Sequence, residues 1–201
     1  MTLNWRTERK LRILDFDCEC RPLSFMGGDW VTKDITAIAA KFIGERGKPT
    51  VWLLGEDEPV DMLEGFRAMY DAADMVTGHW IVGFDLPLVA GAMTEFGLAP
   101  LSSKLAHDTK SHLIKRHGLS SSQENLGAML GLEHPKVQMD QAKWREANRL
   151  TKEGLRFTRE RVAGDVLQHI ELRQRLIDAG YLGPPRVWSS GAATRSLEYV
   201  P

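Results

Sequence analysis

The order of hydrophobic runs in this chain predicts an α/β fold: a mixed central sheet of about five strands flanked by helices. Three observations lead there. Strand-like runs crowd into residues 11–54, helical and strand-like stretches alternate over 58–131, and a long amphipathic stretch at 152–179 closes the pattern. A length of 201 residues is enough for one domain with a substantial core. Residues 1–185 read as that single domain and 186–201 as an irregular C-terminal tail.

The elements follow in order. Residues 11–18 read as the first strand, and 34–43 and 50–54 as two more, joined by a turn over 44–49 that holds Gly44, Gly47 and Pro49. Over 58–72, Val60, Leu63, Phe66 and Tyr70 recur at three- and four-residue steps, which predicts a helix. A short strand at 74–78 precedes a helix over 86–96 closed by Gly97. Residues 105–107 read as a fifth strand, running into Asp108 and Thr109, a good N-cap for a helix over 110–117. Ser121 or Ser122, with Glu124, opens a further helix that ends at Gly131. The last helix spans 152–179 and stops at a Gly/Pro turn, 180–185.

Bulk charge narrows the function little. With 26 Lys and Arg against 27 Asp and Glu the net charge is −1, so no basic footprint advertises nucleic acid. An acidic centre beside a basic groove would sum to the same value. No apolar run reaches the roughly 18 residues of a membrane span, and the first residues lack a signal-peptide core. Cys18 and Cys20, two apart on one strand, are poorly placed for a disulfide and read as reduced packing residues. The expectation is a cytoplasmic protein with no membrane partner.

The chemistry concentrates at the end of the first strand, Leu-Asp-Phe-Asp-Cys-Glu over 14–19. Alternation puts Asp15, Asp17 and Glu19 on one face and Leu14, Phe16 and Cys18 on the other. Carboxylates so crowded on a central strand call for a positive partner, and a hard divalent cation, Mg²⁺ or Mn²⁺, is the simplest. Two further acidic positions stand out. Asp85, in Gly-His-Trp-Ile-Val-Gly-Phe-Asp-Leu-Pro (78–87), sits where a strand ends and a helix begins; its simpler reading is a helix cap. Asp165 lies beside the Val162, Val166, Ile170, Ile177 stripe of the last helix; its simpler reading is an ion pair with Arg161.

Taken together, Asp17-x-Glu19, then Gly-His-x₄-Phe-Asp85, then Asp165 on a late helix resemble the DEDD (DnaQ-like) 3′–5′ exonucleases of the ribonuclease H-like superfamily. The resemblance runs over about residues 10–180 and extends to the polymerase-B-like group, including versions carried by bacteriophages. It implies a ribonuclease H-like fold and hydrolysis of terminal phosphodiesters at two divalent ions, with release of nucleoside 5′-monophosphates. Asp17, Glu19, Asp85 and Asp165 would be the metal-holding and catalytic set, with Asp17 between the ions and Asp15 in a supporting role. Single-stranded DNA 3′ ends, or RNA, would be the substrate, with replication proteins as partners and the host cytoplasm as the compartment of a phage-encoded version.

The sequence departs from that family at two places. Relatives carry Tyr four residues before the last Asp or His five before it; here these positions are Arg161 and Glu160. Trp80 stands where Asn is common, five residues before Asp85. Two candidates for general base follow, Glu160 and His169, the latter one turn beyond Asp165. Asp108 reads as a helix N-cap. The charged stretch 136–161 reads as a solvated helix surface or as a phosphate-tracking flank. Phe25 and Trp30, in the Gly-containing loop after the first strand, are candidates to stack a terminal base, with His79 and Arg161 as further substrate contacts. An alternative of another class is a weakly active or non-catalytic nucleic-acid-binding module of the same fold.

Overall fold

The computed structural model describes residues 11–22, 33–113, 120–134 and 137–191. Twelve elements follow one another along these residues: β1 (Ile13–Pro22), β2 (Lys33–Phe42), β3 (Thr50–Leu53), α1 (Pro59–Ala72), β4 (Met75–Gly78), α2 (Asp85–Glu95), β5 (Lys104–Asp108), α3 (Thr109–Leu113), α4 (Gln123–Leu130), α5 (Gln141–Asn148), α6 (Lys152–Asp178) and β6 (Arg186–Trp188). The six strands form one mixed sheet in the order β3-β2-β1-β4-β5-β6. β1 pairs antiparallel with β2 and parallel with β4, β4 pairs parallel with β5, and β6 returns antiparallel along β5.

The expected mixed sheet flanked by helices is present, and two elements add to those expected. The sixth strand is Arg186–Trp188, in the stretch expected as an irregular tail, which pairs with Lys104–Ala106 of β5. Three residues show no readable period; the open edge of β5 makes them a strand. The second addition is α5, within the charged stretch 136–161. It is polar on nearly every side, so it lacks an apolar stripe, but the Asp140 carboxylate caps it by accepting from Lys143 N at 2.8 Å.

The sheet carries a core on each face. Leu14, Phe16 and Cys18 of β1 pack with Phe66 and Tyr70 of α1 and Val89 and Met93 of α2. On the opposite face Ala37 and Ala39 of β2 and Leu53 of β3 pack against Val162 and Val166 of α6. Alanines there let the long helix approach closely, which brings α6 over the acidic face of β1. Further along α6, Leu172 and Leu176 join Leu113 and Leu126.

Two glycines hold close approaches. A Cβ on Gly78 would lie 2.8 Å from the Phe16 carbonyl oxygen and 2.2 Å from Ile81 Cγ2. A Cβ on Gly154, at the start of α6, would lie 2.1 Å from the carbonyl oxygen of Glu146 in α5. The first lets β4 end against β1, and the second sets α5 directly on α6.

Candidate metal centre

Pairing of β1 with β4 stops at Asp15–Thr77, while β1 runs on to Pro22 beside β2. Asp17 and Glu19 therefore project beyond the end of β4, at the carboxyl edge of the parallel strands, where open α/β sheets place their sites. A register shift between Glu19 and Cys20, opposite Ala37 and Ile35, follows the second carboxylate. Asp165 comes down from α6. One ligand oxygen from each of Asp17, Glu19 and Asp165 lies within 4.8 Å of the others. Oxygen donors so gathered, two half-buried and one buried, fit a hard divalent ion such as Mg²⁺ or Mn²⁺.

Asp85 stands outside that group of three. It is the first residue of α2 and is buried, with Oδ1 accepting from Cys18 N at 2.9 Å. Burial pushes its carboxyl up to about 7; the Cys18 N–H and its own backbone N–H oppose this, and the nearby Glu19 and Asp108 carboxylates add to it. Phe84, not Asp85, takes the cap position of α2 and makes no side-chain cap bond, so the helix-cap reading does not hold; the Asp85 side chain instead ties the start of α2 to the strand bearing Asp17 and Glu19.

Asp108, the last residue of β5, organises the turn that leads to Asp85. Its Oδ1 accepts from Trp80 N and Ser111 N, and its Oδ2 from Val82 N, each at 3.0 Å. The N-cap expected at Asp108 is there, and the same carboxylate also holds Trp80 at φ 76, a left-handed backbone unusual for this residue. The Trp80 ring, 43% exposed, stacks on Phe84 with centroids 6.0 Å apart, and Lys110 Nζ lies 3.8 Å over it. Nothing in the residues around Trp80 signals an exposed ring with a cation above it, because Lys110 comes from a distant element, α3.

Arg161 enters the centre itself. Its Nε lies 3.0 Å from Asp165 Oδ2 and 3.3 Å from Glu19 Oε1, and its Nη1 donates to the Val137 carbonyl at 2.6 Å. The simpler reading of Asp165, an ion pair one turn back, therefore holds, and Glu19 joins it.

Neither candidate base faces the centre with a free atom. Glu160 is exposed and accepts from Arg156 Nη1 at 2.8 Å along the outer face of α6. His169 is buried, with Nδ1 2.5 Å from Asp15 Oδ2 and Nε2 3.0 Å from Thr109 Oγ1. Both nitrogens are engaged, so none is left for a water. His79 is tied in the same way: Nδ1 lies 2.8 Å from Thr109 Oγ1 and Nε2 2.7 Å from the Ser121 carbonyl.

The polarity of this chain of bonds can be deduced. A carbonyl only accepts, so His79 Nε2 carries the proton. Burial, aided by His169, pushes His79 down to about 4, so the ring is neutral and Nδ1 accepts from the Thr109 hydroxyl. The Thr109 oxygen then accepts from His169 Nε2, and one proton lies between His169 Nδ1 and Asp15. Asp15 is fully buried; burial raises its carboxyl, and His169 opposes the rise. The third carboxylate of the β1 face is thus buried and held by His169 of α6.

Phe25, Trp30 and Lys136 lie outside the described residues. In the charged stretch, Arg156 pairs with Glu153 and Glu160, and Arg159 with Glu56. This is the solvated helix surface of the simpler reading. No helix among the described residues is long and apolar enough to cross a membrane.

No protein-family model and no curated protein matches the chain. Among solved structures it is similar to the family B DNA polymerase from the hyperthermophilic archaeon Pyrobaculum calidifontis, with a TM-score of 0.67 and 16% identity over 84% of this chain. The fold is ribonuclease H-like. The chain spans 25% of that polymerase, so the likeness is to one part of a longer protein. At this identity the likeness is one of architecture. On this fold the acidic cluster sits on β1, inside the sheet, and on α6, the helix covering it.

Proposed function

We propose that this domain is a metal-dependent 3′–5′ exonuclease that hydrolyses terminal phosphodiesters of single-stranded DNA and releases nucleoside 5′-monophosphates. The observation that carries the proposal is the convergence of Asp17, Glu19 and Asp165 within 4.8 Å on a polymerase-like fold. Asp17, Glu19 and Asp165 would hold divalent ions, with Asp85 completing the set from the start of α2. When bound, the ions would supply Lewis acidity to the scissile phosphate and to the attacking water.

The chain's own residues do the rest. The Asp15–His169–Thr109–His79 network fixes β1 against α6, which keeps the carboxylates in register. Asp108 holds the turn before Asp85. Lys110, held over the Trp80 ring, would offer a positive charge to a terminal nucleotide. Neither Glu160 nor His169 is assigned as general base.

The test is a time course on a 5′-labelled single-stranded DNA oligonucleotide and a matching RNA, with Mn²⁺, Mg²⁺ or EDTA. A metal-dependent ladder shortening from the 3′ end, lost in Asp17→Ala, supports the reading. Two intact oligonucleotides refute it. Binding without cleavage would favour the second reading, a nucleic-acid-binding module, for which the Arg161 guanidinium among the carboxylates is the specific support.

A further inference from the structure

We infer that Arg161 is a resident cation of the acidic centre, competing with the divalent ion for Glu19 and Asp165 and so setting the metal concentration at which the centre fills. This rests on the reading of Asp17, Glu19 and Asp165 as a metal centre.

Three features separate Arg161 from an ordinary ion pair along a helix. It contacts two of the three clustered carboxylates, Asp165 on its own helix and Glu19 across on β1, through the same Nε. Its far end is fixed, since Nη1 donates to the Val137 carbonyl at 2.6 Å, which aims Nε at the carboxylates. The contacts are sheltered: the side chains of Arg161, Glu19 and Asp165 are 14%, 15% and 4% exposed. By contrast Arg156, with its side chain 51% exposed, pairs with Glu153 and Glu160 where water screens the interaction.

The physical consequence follows from charge. The Arg161 guanidinium brings a positive charge among these carboxylates. With it in place, carboxylates that would otherwise repel one another are held together before any metal arrives. An incoming divalent ion meets a partly neutralised site, and to bond Glu19 and Asp165 fully it must displace the Nε contacts. Arg161 thus stabilises the metal-free form and weakens metal binding by the same interaction, as linkage requires.

Isothermal titration of Mn²⁺ into wild type, Arg161→Met, Arg161→Lys and Asp17→Asn tests this, with thermal unfolding of each with and without Mn²⁺. Methionine keeps the apolar stem and removes the charge. Close charge pairs in sheltered settings couple strongly enough that Mn²⁺ should bind Arg161→Met at least about tenfold more tightly than wild type. Arg161→Lys, which keeps the charge, should stay near wild type. Arg161→Met should unfold at lower temperature than wild type without metal and gain more from Mn²⁺. Wild-type binding lost in Asp17→Asn, together with equal or weaker binding in Arg161→Met, overturns the inference and leaves the metal centre standing. If neither wild type nor Arg161→Met binds Mn²⁺, the metal centre and the inference fall together. A purely structural arginine would lower stability in both conditions without tightening the metal.

Discussion

Replacing Thr109 by valine isolates the buried network beneath the centre. Thr109 is fully buried, and its hydroxyl joins two imidazoles: it lies 3.0 Å from His169 Nε2 and 2.8 Å from His79 Nδ1. Valine preserves the branched shape and nearly the volume, so packing changes little, but it can neither donate nor accept. The His169 donor and the His79 acceptor then lose their partner in a dry environment. Each such loss costs about 1–3 kcal/mol, for a total of about 2–6 kcal/mol. With a urea dependence of about 2 kcal/mol per molar, the unfolding midpoint falls by about 1–3 M. Serine at the same position keeps the hydroxyl and removes one methyl, which should cost about 1 kcal/mol. Urea unfolding followed by circular dichroism measures all three proteins. A valine variant within 1 kcal/mol of wild type, or a serine variant as unstable as valine, would refute the bonding order deduced here.

Other perturbations have equally definite outcomes. Gly154→Ala gains helix propensity worth about 1 kcal/mol, yet the added Cβ meets backbone atoms of α5 at 2.1–2.7 Å. The clash wins, and net destabilisation of about 1–3 kcal/mol is expected in the same urea assay. His107 donates from Nε2 to the Gly183 carbonyl at 2.9 Å and accepts from Arg173 at 3.2 Å; burial, then Arg173, pushes it down to about 4. Between that value and the unfolded value of about 6.5 the unfolded chain binds the extra proton, so the contribution is present above pH 6.5 and lost as pH falls toward 4. Relative to His107→Gln, wild type should lose up to about 1.4 kcal/mol per pH unit over that window; a flat difference would show that His107 is not held neutral. Asp17→Ala and Asp85→Ala should each lower metal-dependent cleavage by more than about a hundredfold with circular dichroism unchanged. Unchanged cleavage in either variant removes that residue from the site.

Much of this architecture was legible because burial imposes periods on sequence. The Val162, Val166 stripe marks the face of α6 that meets the sheet, and the alternation Leu14, Phe16, Cys18 marks the inner face of β1. Asp17 and Glu19 stood out because carboxylates crowded on a central strand call for a positive partner, and Asp165 was joined to them through the resemblance in motif order. β6 and α5 were not legible, one too short for a period and the other polar on almost all sides. Glu160 and His169 were reasonable candidates by chemistry and spacing, but spacing along a helix does not say which neighbour takes a nitrogen or an oxygen. Glu160 turns outward to Arg156, and His169 turns inward to Asp15 and Thr109.

Fold class, the faces of β1 and α6, and the crowding of carboxylates at the end of the first strand all follow from local periodicity and residue chemistry. Which groups share space follows from the packed chain instead: Arg161 between Glu19 and Asp165, Asp85 bound to the Cys18 N–H, and a proton held between Asp15 and His169. Those partners are separated by up to 154 residues, and a hydrogen bond between them depends on ångström-scale positions set by the whole core.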